Sequence, residues 1–545
     1  MLHDIGVSMP TIADLVARRL KDEGVRMLFG VPGGGGNLDL IDAANRVGLP
    51  FVLMATETAA AFAAIAQAEV TGKPGACLTT LGPGAASVVN GVACAFLDRA
   101  PLFVFTDTQG AAPGAAAQFE HQHLDQRAVF ASITNWSGTL TADDASELLD
   151  RMSASVSAPR PGPVHIDCPG GVLGENRPRG SISHRILSES SGAAGNRPPR
   201  SILRSARRPI VILGVGARRP EDARAVRSLC ERRGVPAMVT YKAKGVMPDD
   251  HSWFAGVFTN GVIERPLIDE SDLVIGIGLD PVELLPRAWP DGRSVVYCGR
   301  WTVPTDHVPF ADQLIGDLPA TIDELATMIG ETDWNPEHIR AAVDAQRQAV
   351  ACIGRRNDGG LTGQRVVQMA AAVLAGESRV TVDAGAHMFP ATMLWPVNEP
   401  NQMLISNGLS TMGFALPAAI GAALVDRSRP VVALTGDGGL LMCAGELLTA
   451  AREGLRIIVI VFNDASLSLI EIKQQARRLA PAGVALGATD WSKVAAGFGV
   501  TPFTATNETE LQWALDRAIE CDGPALIDAR IDRSNYLATL KAIRG

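Results

Sequence analysis

The chain lacks what a membrane, a nucleic acid or a disulfide framework would need. No stretch approaches the ~18 uninterrupted apolar residues of a spanning helix. Lys and Arg number 49 against 58 Asp and Glu, a net charge of −9, so the basic footprint of a nucleic-acid partner is missing. Eight cysteines stand singly at 77, 94, 168, 230, 298, 352, 443 and 521, with no CxxC and no metal-ligand spacing. Reduced thiols in a cytoplasmic protein are therefore expected. The first twenty residues place acids early and show no basic-then-apolar signal pattern, which adds to that expectation. Aromatic residues make up only 5%. What fills the chain instead is 47% hydrophobic residues and 55 glycines, the composition of an Ala/Gly/Val-rich α/β enzyme. At 545 residues one core does not suffice, and the length suggests about three domains.

Short apolar runs that end at Gly, Asp or Asn alternate with Ala/Leu-rich helical patterns along most of the chain. They include "ACLTTLGPG" (76–84), "PLFVFTD" (101–107), "PIVILGVG" (209–216), "DLVIGIG" (272–278), "RVTVDAG" (379–385), "PVVALTGDG" (430–438) and "RIIVIVFND" (456–464). Such alternation predicts doubly wound parallel sheets covered by helices on both faces, an α/β fold. Two polar breaks divide it. Residues 174–200, "GENRPRGSISHRILSESSGAAGNRPPR", read as a linker, and "GRRNDGGLTG" near 354–363 closes a charged helical stretch. The expected domains are 1–172, 190–345 and 360–545.

One stretch poses a chemical question. In "FVLMATETAAAFAAIAQAEV" (51–70) a single acid, Glu57, opens an alanine-rich helical segment, and the next acid is Glu69. Thr56 suits a helix N-cap, and an acid in the first turn is favoured by the helix dipole. A catalytic carboxyl held at a rigid helix start is the other reading.

A second stretch carries chemistry by spacing. The β-run ending at Gly436-Asp437-Gly438-Gly439 is followed by a helical segment and a second β-run ending at Asn463, 26 positions after Asp437. A strand–helix–strand unit sets two parallel strand ends side by side at the carboxyl edge, where open α/β sheets bind ligands. A carboxylate and an amide oxygen suit Mg²⁺, which completes its shell with phosphate oxygens and water. Glycines admit backbone N–H groups to a diphosphate at a helix N-terminus. Taken singly, GDG is also an ordinary tight turn and Asn463-Asp464 an ordinary turn cap.

Together, GDG and the Asn 26 positions after its Asp resemble the cofactor motif of thiamine-diphosphate (ThDP) enzymes. The segment "NGLSTMGFALPAAIGAAL" (407–424) resembles the glycine-rich loop, Met and Pro-containing helix of acetolactate synthases. "FGVPGGGGNLDLIDA" (29–43) and "TTLGPGAASVVNGVACAFLDRAPLFVFTD" (79–107) resemble the family's pyrimidine-binding domain. The resemblance implies three α/β domains, pyrimidine-binding, central and diphosphate-binding. It implies Asp437 and Asn463 as side-chain Mg²⁺ ligands, with the Ala465 carbonyl beside them. Gly436, Gly438 and Gly439 match the diphosphate turn, and His387 in "DAGAH" resembles a diphosphate-side histidine. Met412 matches the residue that wedges the cofactor into a bent form, and the Ser410 carbonyl matches the acceptor of its exocyclic amine. Glu57 matches the acid on the pyrimidine nitrogen, and Gln122 a glutamine facing substrate. Met412 also suits core filling, and His387, His121 and His123 also suit loop positions. His121 and His123 flank Gln122 and would relay protons.

The implied activity is ThDP- and Mg²⁺-dependent decarboxylation of a 2-oxo acid through ylid and enamine intermediates, followed by carboligation. The implied partners are a small-molecule 2-oxo acid and further copies of the chain, as a homodimer or homotetramer in which Glu57 faces a second copy's Asp437 and Asn463. Some features depart from the acetolactate synthase pattern. His121 stands where Phe precedes the glutamine, Ala386 replaces a glutamine, and "DASLSLIEIKQQ" lacks a tryptophan after Asn463. A simple 2-oxo acid decarboxylase that releases an aldehyde is therefore the alternative. A non-catalytic nucleotide-binding relative is the third reading, because "GVGARRPED" (214–222) and "GIGLDP" (276–281) leave FAD or ADP open as a cofactor of the central domain. Neither is a full GxGxxG with its ribose-binding acid.

Overall fold

All seven of those apolar runs are strands. The computed structural model describes residues 10–109, 121–176, 200–285, 287, 289, 295–306, 308–354, 358 and 360–545. Most of the expected linker at 174–200 and the start of the Gln122 loop lie outside the described residues. Among the described residues, eighteen strands form three six-stranded sheets in which every strand pairing is parallel. The chain divides into two compact units, residues 1–189 with the first sheet and 190–545 with the other two.

The first sheet contains β1 (Leu28–Gly30), β2 (Phe51–Leu53), β3 (Gly75–Thr79), β4 (Leu102–Thr108), β5 (Trp136–Thr139) and β6 (Pro163–Pro169), in the order β2-β1-β3-β4-β6-β5. The second contains β7 (Pro209–Leu213), β8 (Ala237–Val239), β9 (Phe254–Val257), β10 (Leu273–Ile277), β11 (Val295–Gly299) and β12 (Phe310–Ile315), in the order β12-β11-β10-β7-β8-β9. The third contains β13 (Arg379–Val382), β14 (Met403–Ile405), β15 (Val431–Gly436), β16 (Ile457–Asn463), β17 (Thr501–Ala505) and β18 (Ala525–Arg530), in the order β14-β13-β15-β16-β18-β17. The first and third sheets thus repeat one winding.

The central strands are buried on both faces, which is why they read as unbroken apolar runs. Every residue of β16, "IIVIVFN", is buried, and each such Val or Ile side chain contributes about 1.5–3 kcal/mol. The first unit has its own core. In the second unit one cluster runs across both sheets, joining Phe254 to Met393 with help from Val343 and Val350 of the helix Pro336–Ile353. No helix among the described residues is long and apolar enough to cross a membrane.

Burial at the carboxyl edge of the first sheet has a measurable cost. Asp107, near the end of β4, accepts the Asn37 N–H at 3.3 Å through Oδ2, while its other oxygen is buried without a partner among the described residues. Burial pushes this carboxyl up to about 6. A carboxyl raised in the folded state stabilises the protein at low pH, and that contribution is lost as pH rises through about 6. Stability of the wild type should therefore fall between pH 4 and pH 7 on this residue's account. Asp107→Asn should flatten the fall by about 1–3 kcal/mol, measured by urea denaturation across that range. An unchanged slope would refute the assignment.

Candidate active site

The third sheet changes winding direction between β13 and β15, so loops from these strands diverge and leave a crevice at their carboxyl ends. "DAGAH" leaves β13 and GDGG leaves β15 at that crevice. β16 pairs with β15 up to Gly436↔Phe462, so Asp437 and Asn463 leave neighbouring strand ends. The helical segment expected between them is two helices, Asp437–Cys443 and Glu446–Arg452, separated at Ala444-Gly445.

Asp437 is buried at the first position of its helix. Its Oδ1 accepts the Gly438 N–H at 2.8 Å, and its Oδ2 accepts the Ala465 N–H at 2.7 Å, tying the end of β15 to the turn after β16. The Asn463 amide donates to Asp528 Oδ1 at 2.8 Å and to the Thr489 carbonyl at 3.2 Å, so its oxygen is the end left for a cation. Ala465 holds the left-handed conformation, φ 57°, and its carbonyl accepts the Leu486 N–H at 2.9 Å, which leaves one lone pair for a further partner. Burial raises the Asp437 carboxyl, and Asp528 adds to the shift. Burial likewise pushes Asp464 up to about 6, with the Asp437 charge contributing. Asp528 is in turn paired with Arg530 at 3.6 Å, and Arg533 acts on Asp464. The carboxylate of Asp437 and the amide oxygen of Asn463 are thus the oxygens left at the crevice, a type of donor that fits a hard divalent cation.

The surroundings complete the cradle. A Cβ on Gly438 would lie 2.7 Å from Leu467 Cδ2 and 3.3 Å from Met412 Cε, and one on Gly439 would lie 2.2 Å from Asp383 Oδ2. Gly439 is thus demanded by close packing against the fixed Asp383 carboxylate, whereas at Gly438 the flexible ends of Leu467 and Met412 close over the turn. Met412 is half-buried over this turn instead of sitting in the core. Ser410, on the same loop, is exposed with φ 52°, and its hydroxyl donates to the Asn407 carbonyl at 2.9 Å. His387 is buried and its ring stacks on Phe462 at 5.0 Å. Burial lowers its pKa to about 4, and its Nε2 is buried without a partner. An orphaned ring nitrogen on the residue beside the Gly436–Gly439 turn fits a ligand-facing histidine better than a satisfied loop residue.

Sequence reasoning missed Asp383, the residue that organises this crevice. It is fully buried and accepts the Thr435 hydroxyl at 2.9 Å, the Ala384 N–H at 3.0 Å, the Gly413 N–H at 3.1 Å and the Phe414 N–H at 3.2 Å. One carboxylate thereby joins the exit of β13, the end of β15 and the loop carrying Met412. Burial pushes it up to about 6. The available signal was an acid closing the apolar run "RVTV".

The first unit holds the remaining candidates. Glu57 is the first residue of the helix Glu57–Thr71, and the Thr56 hydroxyl caps it by accepting the Ala59 N–H at 3.2 Å. The capping reading is right about Thr56 and leaves the half-buried Glu57 carboxylate available. A Cβ on Gly84 would meet Glu57 Oε1 at 3.1 Å, and one on Gly82 (φ 47°) would meet the Gln122 carbonyl at 2.5 Å. The Leu81-Gly82-Pro83-Gly84 turn after β3 is thus flanked by Glu57 on one side and Gln122 on the other. Gln122 is itself left-handed, φ 61°, strain of the kind that clusters at ligand sites. His121, Gln122 and His123 are exposed. Gln109 Nε2 donates to the His121 carbonyl at 2.6 Å, and no ring of His121 or His123 reaches Glu57 or Gln122 among the described residues.

Comparison with known proteins agrees along the whole chain. Residues 10–129 match the family "Thiamine pyrophosphate enzyme, N-terminal TPP binding domain". Residues 200–325 match its central domain and 383–529 its C-terminal TPP binding domain. The chain is 31% identical to the catabolic acetolactate synthase of Raoultella terrigena, over 96% of each sequence. It is 29% identical to acetolactate synthase of Bacillus subtilis, over 96% of this chain and 94% of that one. It is also 29% identical to the probable 2-ketoarginine decarboxylase AruI of Pseudomonas aeruginosa, over 95% of this chain and 94% of that one.

Proposed function

The chain belongs to the thiamine pyrophosphate enzymes, of the acetolactate synthase-like type, and from that premise we propose that it decarboxylates a 2-oxo acid with ThDP and Mg²⁺ and transfers the remaining carbon unit to a second carbonyl. The observation that carries this reading is the pairing of Asp437 with Asn463 at adjacent strand ends, with the Asn463 amide oriented by Asp528 so that its oxygen is left over.

When bound, ThDP would supply a nucleophilic carbon for the 2-oxo carbonyl and an electron sink for the bonding pair left behind as carbon dioxide departs. The residues of this chain do the rest. Asp437, Asn463 and the Ala465 carbonyl would hold Mg²⁺, while Gly436, Gly438, Gly439 and His387 would receive the diphosphate. Met412 would pack against the cofactor, and the Ser410 carbonyl would accept a hydrogen bond from its amine. Glu57 would exchange a proton with the pyrimidine nitrogen from the rigid start of its helix, where Thr56 holds the cap. Gln122 faces the substrate, and His121 and His123 move protons there.

On this reading residues 1–172 are the pyrimidine-binding domain, 190–345 the central domain and 360–545 the diphosphate-binding domain. At least two copies assemble as a homodimer or homotetramer, so that Glu57 serves the cofactor held by a second copy's Asp437 and Asn463. Eight free cysteines, six of them buried, support a cytoplasmic enzyme.

Simple decarboxylation is the second reading. It is supported by the similarity to the probable 2-ketoarginine decarboxylase and by the missing tryptophan after Asn463. Incubation with ThDP, Mg²⁺ and a panel of 2-oxo acids, with products followed by NMR, separates the two. A 2-hydroxy-2-alkyl-3-oxo acid supports carboligation and a free aldehyde supports the alternative. No cofactor-dependent release of carbon dioxide from any panel member would refute both.

A further inference from the structure

The central domain carries two glycine turns that the proposed chemistry does not use. Gly214-Val215-Gly216 follows β7, and Gly276-Ile277-Gly278 closes β10. These are neighbouring strands at the winding switch of the second sheet, the place where an open α/β sheet takes a ligand. A nucleotide bound there rests its phosphates on free N–H groups of the first turn and on the N-terminus of the next helix.

In this chain those N–H groups are spent. Gly214 donates to the Ile277 carbonyl at 3.0 Å, Gly216 to the Gly278 carbonyl at 2.9 Å and Ala217 to the Gly214 carbonyl at 3.0 Å. Val215 donates to Glu283 Oε2 at 2.8 Å. The same carboxylate accepts the Thr240 hydroxyl at 2.6 Å through Oε1, so loops from β7, β8 and β10 meet on one acid. A Cβ on Gly214 would lie 2.5 Å from Leu279 Cα and 2.6 Å from Glu283 Oε2. No room for a phosphate remains between the turns. The helix Pro220–Arg233 begins with Glu221 and Asp222 in its first turn, and Asp222 is buried against Arg300 at 2.6 Å. Two acids in that first turn set negative charge beside the helix N-terminus, which disfavours a phosphate there.

We propose that Glu283 occupies the phosphate position of the central domain, as an internal anion that closes the Gly214–Gly216 turn and excludes FAD and ADP. Burial pushes the Glu283 carboxyl up to about 7, in keeping with an acid drawn inside to satisfy the turn. The plug also reaches the catalytic loop, because the Glu283 carbonyl accepts the Asn407 amide at 3.3 Å, three residues before Ser410. The domain thus exchanges a nucleotide site for a fixed brace.

The test uses the full-length protein loaded with ThDP and Mg²⁺. The wild type should carry no flavin absorbance after purification and give no saturable heat when titrated with ADP or FAD. Glu283→Ala frees the Val215 N–H and the Thr240 hydroxyl, and should bind ADP at least about tenfold more tightly than the wild type. Glu283→Gln keeps the shape, with its amide oxygen accepting the Val215 N–H and its NH₂ donating to the Thr240 hydroxyl, and should remain nucleotide-free. One-to-one binding of FAD or ADP by the wild type would overturn the proposal, and that measurement is independent of whether either variant folds. A folded Glu283→Ala that binds no better than the wild type would overturn it as well.

Discussion

Glu57→Gln is expected to lower turnover by about 10²–10⁴-fold while leaving the fold intact. The substitution keeps the side-chain volume and a hydrogen-bonding oxygen but removes the proton that a carboxyl can exchange with a ring nitrogen. The helix should survive it, since the N-cap bond belongs to Thr56 and the packed face of Glu57–Thr71 begins at Ala59. If Glu57 served only the helix dipole, the variant would lose about 0.3–1 kcal/mol of stability and no activity. Turnover at saturating ThDP and Mg²⁺, measured beside a thermal melt, separates the two roles. Near wild-type turnover would return Glu57 to a capping function.

Asp437→Ala should abolish Mg²⁺-dependent cofactor binding. In the wild type, ThDP with Mg²⁺ at 100 times the dissociation constant should stabilise the protein by about 2.7 kcal/mol. In the variant that stabilisation should vanish, and calorimetric titration should show no saturable heat. The unliganded variant loses the bonds from the Gly438 and Ala465 N–H groups, but it also loses a carboxylate whose burial is unfavourable. Its own melting temperature should therefore move less than its response to ligand. An undiminished Mg²⁺-dependent shift would show that the cation is held elsewhere.

Legibility in the sequence followed burial and proximity along the chain. Central strands such as β15 and β16 were plain because both faces are covered and the runs are unbroken. The three-residue strands β2 and β14 were not, and neither was β17, an edge strand that begins with exposed Thr501 and Pro502. Asp437 and Asn463 could be read together because one unit separates them. Asp383 could not, since the groups it binds come from residues 413, 414 and 435. Asp528 lies 65 positions from the Asn463 amide it anchors, and Glu283 lies 68 positions from the Val215 N–H it satisfies. A glycine turn looks the same in sequence whether its N–H groups are free or occupied. The FAD or ADP alternative arose from that ambiguity.

The repeated winding of the first and third sheets has a positional consequence. The last registered pairs of the two central ladders are Thr79↔Thr106 and Gly436↔Phe462. The residues that follow them, Thr80 and Asp107 in one sheet and Asp437 and Asn463 in the other, hold equivalent addresses. Each sheet fills that shared pair of positions differently: Asp437 accepts the Ala465 N–H from the turn after the neighbouring strand, whereas Asp107 turns to the Asn37 N–H. One winding therefore offers one pair of strand-end positions, and the residue placed there decides whether the edge is tied shut or left with an oxygen to spare.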